Sequence, residues 1–178
     1  MECISALPTA EIKLKFEKAF KLRFELSSYL MSYMIKNALG GGSFIRPMFV
    51  DFQSTDDVNM LKLTSQFMMG TNMMAAPVIA FLDRTKKILF PKDIFYHFDN
   101  GRLMNPNGEG YITVDAELDS IPLFLRGGSI VQTQTVPKKI KDISEMRKQP
   151  FKLRIGLDKN LWSYGRILIE DGYCKYNF

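Results

Sequence analysis

Histidine and cysteine are nearly missing from this chain: its 178 residues include one His and two Cys. A zinc centre draws about four ligands, mostly from His, Cys and acidic side chains. Composition therefore argues against a structural or catalytic metal site, and no cofactor is expected. Cys3 and Cys174 lie near opposite ends; a disulfide framework uses more of them, and the redox compartment stays open. No apolar run approaches the roughly 18 residues of a membrane span. Met1-Glu2-Cys3-Ile4-Ser5-Ala6-Leu7-Pro8 lacks the basic region and the apolar length of a signal peptide. Charge concentration is lacking too. The net charge of +5 comes from scattered Lys, and the densest run, Lys138-Lys139-Ile140-Lys141, sits beside Asp142 and Glu145. Nucleic-acid recognition gathers basic residues on one element with a motif. This run reads as a solvated loop, and no nucleic-acid partner is expected.

What is present is globular matter: 46% hydrophobic and 24% charged residues, enough for a sizeable core. With 14 Phe, 7 Tyr and 11 Met, that core is aromatic and soft, since Met fills irregular gaps. Two rows with i, i+4 spacing, Ile12-Phe16-Phe20-Phe24 and Leu22-Leu26-Leu30-Met34, predict one long helix over Thr9–Leu39. Thr9 can cap its first turn, and Glu11–Lys15 and Glu17–Lys21 can pair on its wet face. The apolar arc widens after Leu22, so the second half is expected to lie against something large. Gly40-Gly41-Gly42 stops the helix. Because these glycines follow a helix and precede a strand, they have the wrong polarity for a phosphate cradle.

Beyond them the pattern turns β. Phe44–Val50 is the first strand, with Pro47 confined to a sheet edge or bend. A short helix is expected near Asn59 to Gly70. Strands follow at Met73–Ile79, Lys87–Phe90, Ile94–Phe98, Tyr111–Ala116, Leu123–Arg126, Ile130–Thr133, Phe151–Leu157 and Arg166–Glu170. Asn100-Gly101 favours a two-residue hairpin and Asn105-Pro106-Asn107-Gly108 a looser loop. Short strands at this spacing predict an antiparallel sandwich. Ile121-Pro122-Leu123-Phe124-Leu125-Arg126-Gly127-Gly128-Ser129-Ile130 reads as a buried strand broken by a double glycine. There the backbone takes positive φ or approaches a neighbour closely. Val136 to Gln149 is polar and Lys-rich, reads as a linker, and leaves two strands for a second β domain.

Residues able to do chemistry are few. His97 stands alone at a hairpin end, with no nucleophile or carboxylate at telling spacing. Asp56-Asp57 and Glu170-Asp171 are the adjacent acidic pairs. Glycoside hydrolysis by retention needs two carboxyls facing each other about 5–5.5 Å apart. Neighbours in a turn point where the backbone sends them, so turn and cap roles account for both pairs.

Taken together in order, these blocks resemble the carboxyl-terminal part of glycoside hydrolase family 31, the α-glucosidases. Arg23-Phe24-Glu25-Leu26-Ser27-Ser28-Tyr29-Leu30-Met31 is similar to the family's R-Y-x-L-L-P-Y-L-Y. Arg46-Pro47-Met48-Phe49-Val50-Asp51-Phe52 resembles R-P-L-F-x-E-F. Gln66-Phe67-Met68-Met69-Gly70-Thr71-Asn72-Met73-Met74-Ala75-Ala76-Pro77-Val78 resembles Q-F-L-L-G-x-x-L-L-x-x-P-V. Phe95-Tyr96-His97 stands for W-Y-D, and Ile121 to Ile130 for I-P-L-F-L-R-G-G-x-I, with Gln134 at the expected glutamine. Arg147 to Phe151 and Leu157-Asp158 look like R-K-x-P-F and L-D, and Gly165 to Gly172 like G-x-L-x-x-D-D-G. Ser28 replaces a Pro, so the kink of an interior Pro is expected to be absent. His97 and Glu170 replace aspartates.

The resemblance implies a mainly β fold. A long N-terminal helix, the last of a (β/α)8 barrel missing from this chain, precedes an antiparallel β-sandwich and the start of a second β domain. It divides the chain into 1–50, the terminal helix and strand of the catalytic barrel; 51–136, a proximal C-terminal β-sandwich; and 137–178, a linker and the start of a distal C-terminal β domain. The family's catalytic aspartates lie upstream, in motifs such as W-x-D-M-N-E that do not occur here. No residue of this chain therefore inherits a catalytic, cofactor-binding or metal-binding role, and the chain alone is expected to be inactive. The full enzyme would hydrolyse terminal α-linked glucose with retention. Substrate would reach the chain only through the missing barrel, which would pack on the helix Thr9–Leu39. The family suggests the secretory pathway, a lysosome or the cell exterior. The alternative is a stand-alone non-catalytic β-sandwich module binding carbohydrate or a protein partner, with Trp162 or Tyr164 as a sugar platform.

Overall fold

The computed structural model describes residues 9–52, 58–80, 83–105, 108–117, 119–137, 145–146 and 148–169. The helix comes in two lengths, α1 (Ala10–Glu25) and α2 (Ser27–Gly40), rather than one. Thr9 is extended and its Oγ1 accepts the Ile12 N–H, while Gly41 ends α2 at φ +77. The interruption falls at Leu26, where no proline stands. The Ser27 hydroxyl donates to the Phe24 carbonyl at 2.7 Å, and the Leu26 N–H is shared between the Leu22 and Phe24 carbonyls. The ladder runs on through the Leu26–Leu22 and Leu30–Leu26 bonds, so the serine bends the helix locally without the lost bond of a proline. Lys15 Nζ meets Glu11 at 2.5 Å, whereas Glu17 and Lys21 form no ion pair.

The remainder is mainly β, with every strand pairing antiparallel. A five-stranded sheet runs in the order β1 (Ile45–Pro47), β2 (Phe67–Met69), β3 (Met73–Ala75), β7 (Leu123–Arg126), β5 (Phe95–His97). Two further pairs are β4 (Thr85–Phe90) with β6 (Gly110–Asp115), and β8 (Ser129–Gln134) with β9 (Phe151–Gly156). β1 is the sheet's edge, which is where Pro47 can sit without breaking a ladder.

The five-stranded sheet carries a core on each face. Successive side chains of a strand point to opposite sides. Met74 and Phe124 join Met48, Met68, Ile88, Phe90 and Phe95 in one cluster, while Met73, Ala75, Leu123 and Leu125 join Leu26, Tyr29 and Val131 in the other. In the first, Phe90 meets Phe124 edge-on at 5.0 Å and Phe95 at 5.6 Å. Gln66 ties β4 to this layer like an extra rung: its Nε2 donates to the Leu89 carbonyl at 2.7 Å and its Oε1 accepts the Leu89 N–H at 3.1 Å.

Several local readings change. Met48–Asp51 is a helical turn (α3) and not the end of a strand, and helix near Asn59 to Gly70 is confined to α4 (Val58–Leu61). β3 ends at Ala75, not at Ile79. The Asn100-Gly101 hairpin has a four-residue loop, Phe98 to Gly101, closed by bonds between His97 and Arg102 and between Gly101 and His97. Arg166 to Ile169 is not strand. β9 pairs with β8 along its whole length, so this hairpin straddles position 136. Gln134 Nε2 holds the return chain through the Met146 and Gln149 carbonyls, at 3.1 and 3.2 Å.

Candidate functional site

The most elaborate polar joint in the molecule fastens α2 to the sheet. Tyr29 is fully buried, and its hydroxyl donates to the Met69 carbonyl at 2.5 Å. Burial pushes that phenol well above its ordinary range. One turn later the Tyr33 and Thr71 hydroxyls converge on Asn72 Oδ1, at 2.7 and 2.9 Å, and Asn72 Nδ2 donates to the Ile130 carbonyl at 3.3 Å. The turn between β2 and β3 fits this joint because Gly70 sits at φ +63. A Cβ there would lie 2.6 Å from the Tyr33 ring and 2.9 Å from the Tyr29 hydroxyl. On the same helix Ser32 Oγ accepts from Gln132 Nε2 at 3.0 Å and from the Leu168 N–H at 2.9 Å.

α1 has no comparable seat. None of its residues is buried; Lys18 Nζ reaches Asp119 Oδ2 at 2.9 Å, and this contact raises the Lys18 ammonium and lowers the Asp119 carboxyl from their ordinary values. Phe16 is 47% exposed, Phe20 42% and, on α2, Met34 53%. The sequence reading placed the bare face on the second half of the helix. The structure places most of it on the first half, because Leu26, Tyr29 and Ser32 already pack on the chain's own strands.

Elsewhere the double glycine divides its work. Gly128 has φ +77 and room for a Cβ in ordinary contact with Asp158, whereas a Cβ on Gly127 would lie 2.8 Å from Ile94 Cβ and 2.9 Å from the Leu157 carbonyl oxygen. Sequence reasoning missed a charged cluster beside it. Arg126 Nε meets Asp93 Oδ2 at 2.7 Å with its guanidinium over the Phe52 ring, and Arg46 meets Asp51 Oδ1 at 2.7 Å. Asp51 is only 6% exposed at its side chain, and its Oδ2 lacks a hydrogen-bond partner. Burial raises the Asp51 carboxyl above its ordinary value, and Arg46 and Arg126 oppose this without overcoming it. The R-P-M-F-V-D-F block contains Arg46 and Asp51, but its spacing does not reveal that a helical turn folds one onto the other.

The singled-out residues are scattered. His97 is half-buried, its ring edge-on to Phe124 at 5.7 Å and its Nδ1 accepting the Asp99 N–H at 3.3 Å. Trp162 and Tyr164 are exposed and parallel. Cys3, Cys174, Asp56, Asp57, Glu170, Asp171 and the run from Lys138 to Lys141 lie outside the described residues. Among the described residues no group of three or more His, Cys, Asp or Glu is arranged to hold a metal. None of their helices is long and apolar enough to cross a membrane.

The profile of the glycosyl hydrolase family 31 C-terminal domain matches residues 41–131. A probable alpha/beta-glucosidase of Aspergillus clavatus is 28% identical over 155 residues, covering 87% of this chain and 17% of the relative. Neutral alpha-glucosidase AB of Dictyostelium discoideum is 28% identical over 140 residues, covering 76% and 14%. Among solved structures, a dextranase of Flavobacterium johnsoniae complexed with isomaltotriose superposes with a TM-score of 0.73 at 27% identity, covering 85% and 18%. Glucosidase II alpha subunit gives a TM-score of 0.83 at 23% identity, covering 93% and 18%, a likeness of fold. The chain thus spans less than a fifth of the length of these proteins. Antiparallel sheets fastened to a helix, matched across their centre by that profile, define a carboxyl-terminal domain of the glycosidase class. The chain belongs to glycoside hydrolase family 31.

Proposed function

We propose that this chain is the carboxyl-terminal supporting part of a family 31 α-glucosidase, and that its α1 and α2 close the catalytic barrel. In this reading residues 1–50 belong to the barrel, 51–136 form a proximal β-sandwich, and 137–178 link to a distal β domain. The complete enzyme removes terminal α-linked glucose with retention, using two upstream carboxyls about 5–5.5 Å apart as nucleophile and acid/base. The chain supplies neither. It supplies a rigid base, because Tyr29, Tyr33, Ser32, Asn72 and Gln132 fix the helix to the sheet.

The observation that carries this reading is the bare apolar row of α1, Ile12, Phe16 and Phe20, continued by Met31 and Met34. Exposed apolar surface of this extent marks an interaction face. A self-standing module would cover it. Two measurements test the proposal. Purified chain should leave a chromogenic α-glucoside uncut, and the transcript upstream of the Met1 codon should encode a barrel in frame. Turnover by the chain alone overturns the assignment of the chemistry to other residues. A monomeric chain that keeps Phe16 and Phe20 in water, and gains no stability from a barrel supplied in trans, overturns the docking face.

A further inference from the structure

One exposed feature belongs neither to the helix joint nor to the cores. Trp162 is 59% exposed and Tyr164 48%, yet their rings lie within 3° of parallel with centroids 6.0 Å apart. Free side chains on a surface do not align without restraint, and the backbone shows what restrains these. Asp158 closes a small loop: its Oδ1 accepts the Asn160 and Trp162 N–H groups at 2.8 and 2.9 Å, and its own N–H donates to the Trp162 carbonyl at 2.9 Å. Closing that loop forces Leu161 to φ +58, the one non-glycine residue at positive φ among those described. A branched side chain is poorly suited to this region, and strain of this kind collects at binding sites. Tyr164 is pinned separately. Its N–H donates to the Gly128 carbonyl at 2.9 Å and its carbonyl accepts the Ile130 N–H at 3.0 Å. Gly165 permits the approach, since a Cβ there would lie 2.6 Å from Ile130 Cβ.

We propose that Trp162 and Tyr164 form a platform for the apolar face of a pyranose ring, binding an α-linked gluco-oligosaccharide away from any catalytic centre. The choice of α-linked glucose rests on the function proposed above; the platform itself does not. A sugar offers C–H groups on its ring faces and hydroxyls on its rim, and a ligand of that shape needs apolar aromatic faces with polar groups around them. Here Arg166 supplies the polar group: its Nε donates to the Tyr164 hydroxyl and its guanidinium lies over one face of that ring, 5.5 Å from the centroid. Tyr164 and Arg166 also wall a cleft of about 800 Å³ that faces Tyr33, Lys36 and Thr71 and gives a chain room to continue. Rings already held in place lose little freedom on binding.

Trp162 is the only tryptophan in the chain, so its emission reports this site alone. Titrating the full chain with maltoheptaose should shift or quench that emission saturably, with a midpoint on the order of millimolar. Tyr164→Ala should weaken binding by about threefold to tenfold, the worth of one aromatic partner. Tyr164→Phe, which keeps the ring and controls for folding, should bind within about twofold of the parent. Cellohexaose, with β linkages, should bind more weakly. The platform is refuted by unchanged emission at saturating maltoheptaose, by equal binding in Tyr164→Ala, or by an emission that depends on protein concentration without sugar, which marks a second copy as the occupant. Equal response to cellohexaose refutes the α-linked specificity. None of these readouts involves hydrolysis, so failure here leaves the barrel-docking proposal standing, and the reverse holds.

Discussion

Alanine at Gly127 and at Gly128 should both destabilise the fold, for different reasons that asparagine separates. At Gly127 the obstacle is space. The new Cβ would lie 2.9 Å from the Leu157 carbonyl oxygen and 2.8 Å from Ile94 Cβ. Backbone cannot swing aside as a side-chain tip can, so overpacking of about 1–3 kcal/mol applies. At Gly128 the obstacle is φ +77; the nearest atom to a Cβ is Asp158 Cβ at 3.4 Å, an ordinary contact. Left-handed backbone costs alanine about 1–2 kcal/mol. Asparagine tolerates that region, so Gly128→Asn should recover most of the loss, whereas Gly127→Asn, being larger, should be worse than Gly127→Ala. For a domain of this size about 1 kcal/mol moves the melting temperature by about 2–4 °C. Gly127→Ala should therefore melt about 4–8 °C below the parent if its cost is about 2 kcal/mol. Thermal unfolding followed by circular dichroism, on the four variants side by side, supplies the assay. If asparagine rescues position 127 and not 128, the division of labour between the two glycines is wrong.

Two further outcomes follow from single residues. Leu161→Gly should raise stability by about 0.5–1 kcal/mol, since relief of left-handed strain of about 1–2 kcal/mol exceeds the entropy glycine adds to the unfolded chain. Leu161 is 78% exposed, so little burial is lost; a lower urea midpoint would show that φ +58 costs nothing there. Asp51→Asn should have a pH signature. The carboxyl is raised in the fold, so the folded chain holds that proton more tightly than the unfolded one, and stability falls as pH rises from about 4 through the raised value. The variant lacks this penalty, so it should match the parent in acid and become relatively more stable toward neutrality. A difference that moves the other way in urea midpoints would mean that Arg46 outweighs burial.

The β signals from Thr85 onward were legible because alternation and turn residues agree. β6 alternates half-buried and exposed residues along its whole length, and β7 occupies the four residues expected of it. The Met-rich stretch before Gly70 was not, although β3 begins at the expected Met73. Phe67-Met68-Met69 has no alternation, since the sheet covers both faces of its neighbourhood, and Met favours neither structure strongly. Arg166 to Ile169 is rich in isoleucine and leucine and is still not strand: the Leu168 N–H is taken by the Ser32 hydroxyl. That competition comes from a residue more than a hundred positions away, which no local pattern contains. The helix stop, its cap and the Glu11–Lys15 pair were read correctly because their partners lie within four residues. The Arg46–Asp51 pair and the Tyr33–Asn72 contact, the first made by an unforeseen helical turn and the second long-range, were not. The loop that Asp158 closes onto Trp162 was also hidden, since a backbone strained at a leucine carries no compositional mark.

The β8–β9 hairpin has a consequence for anyone who dissects this protein. Six residue pairs join Ser129–Gln134 to Phe151–Gly156. Shortening the protein just after residue 136 would strip β8 of its neighbour and leave a row of unpaired amide and carbonyl groups, a ready template for intermolecular pairing. Cleavage of the backbone within 138–144 would spare that row, and both pieces should remain together as a two-chain particle until denaturant separates them.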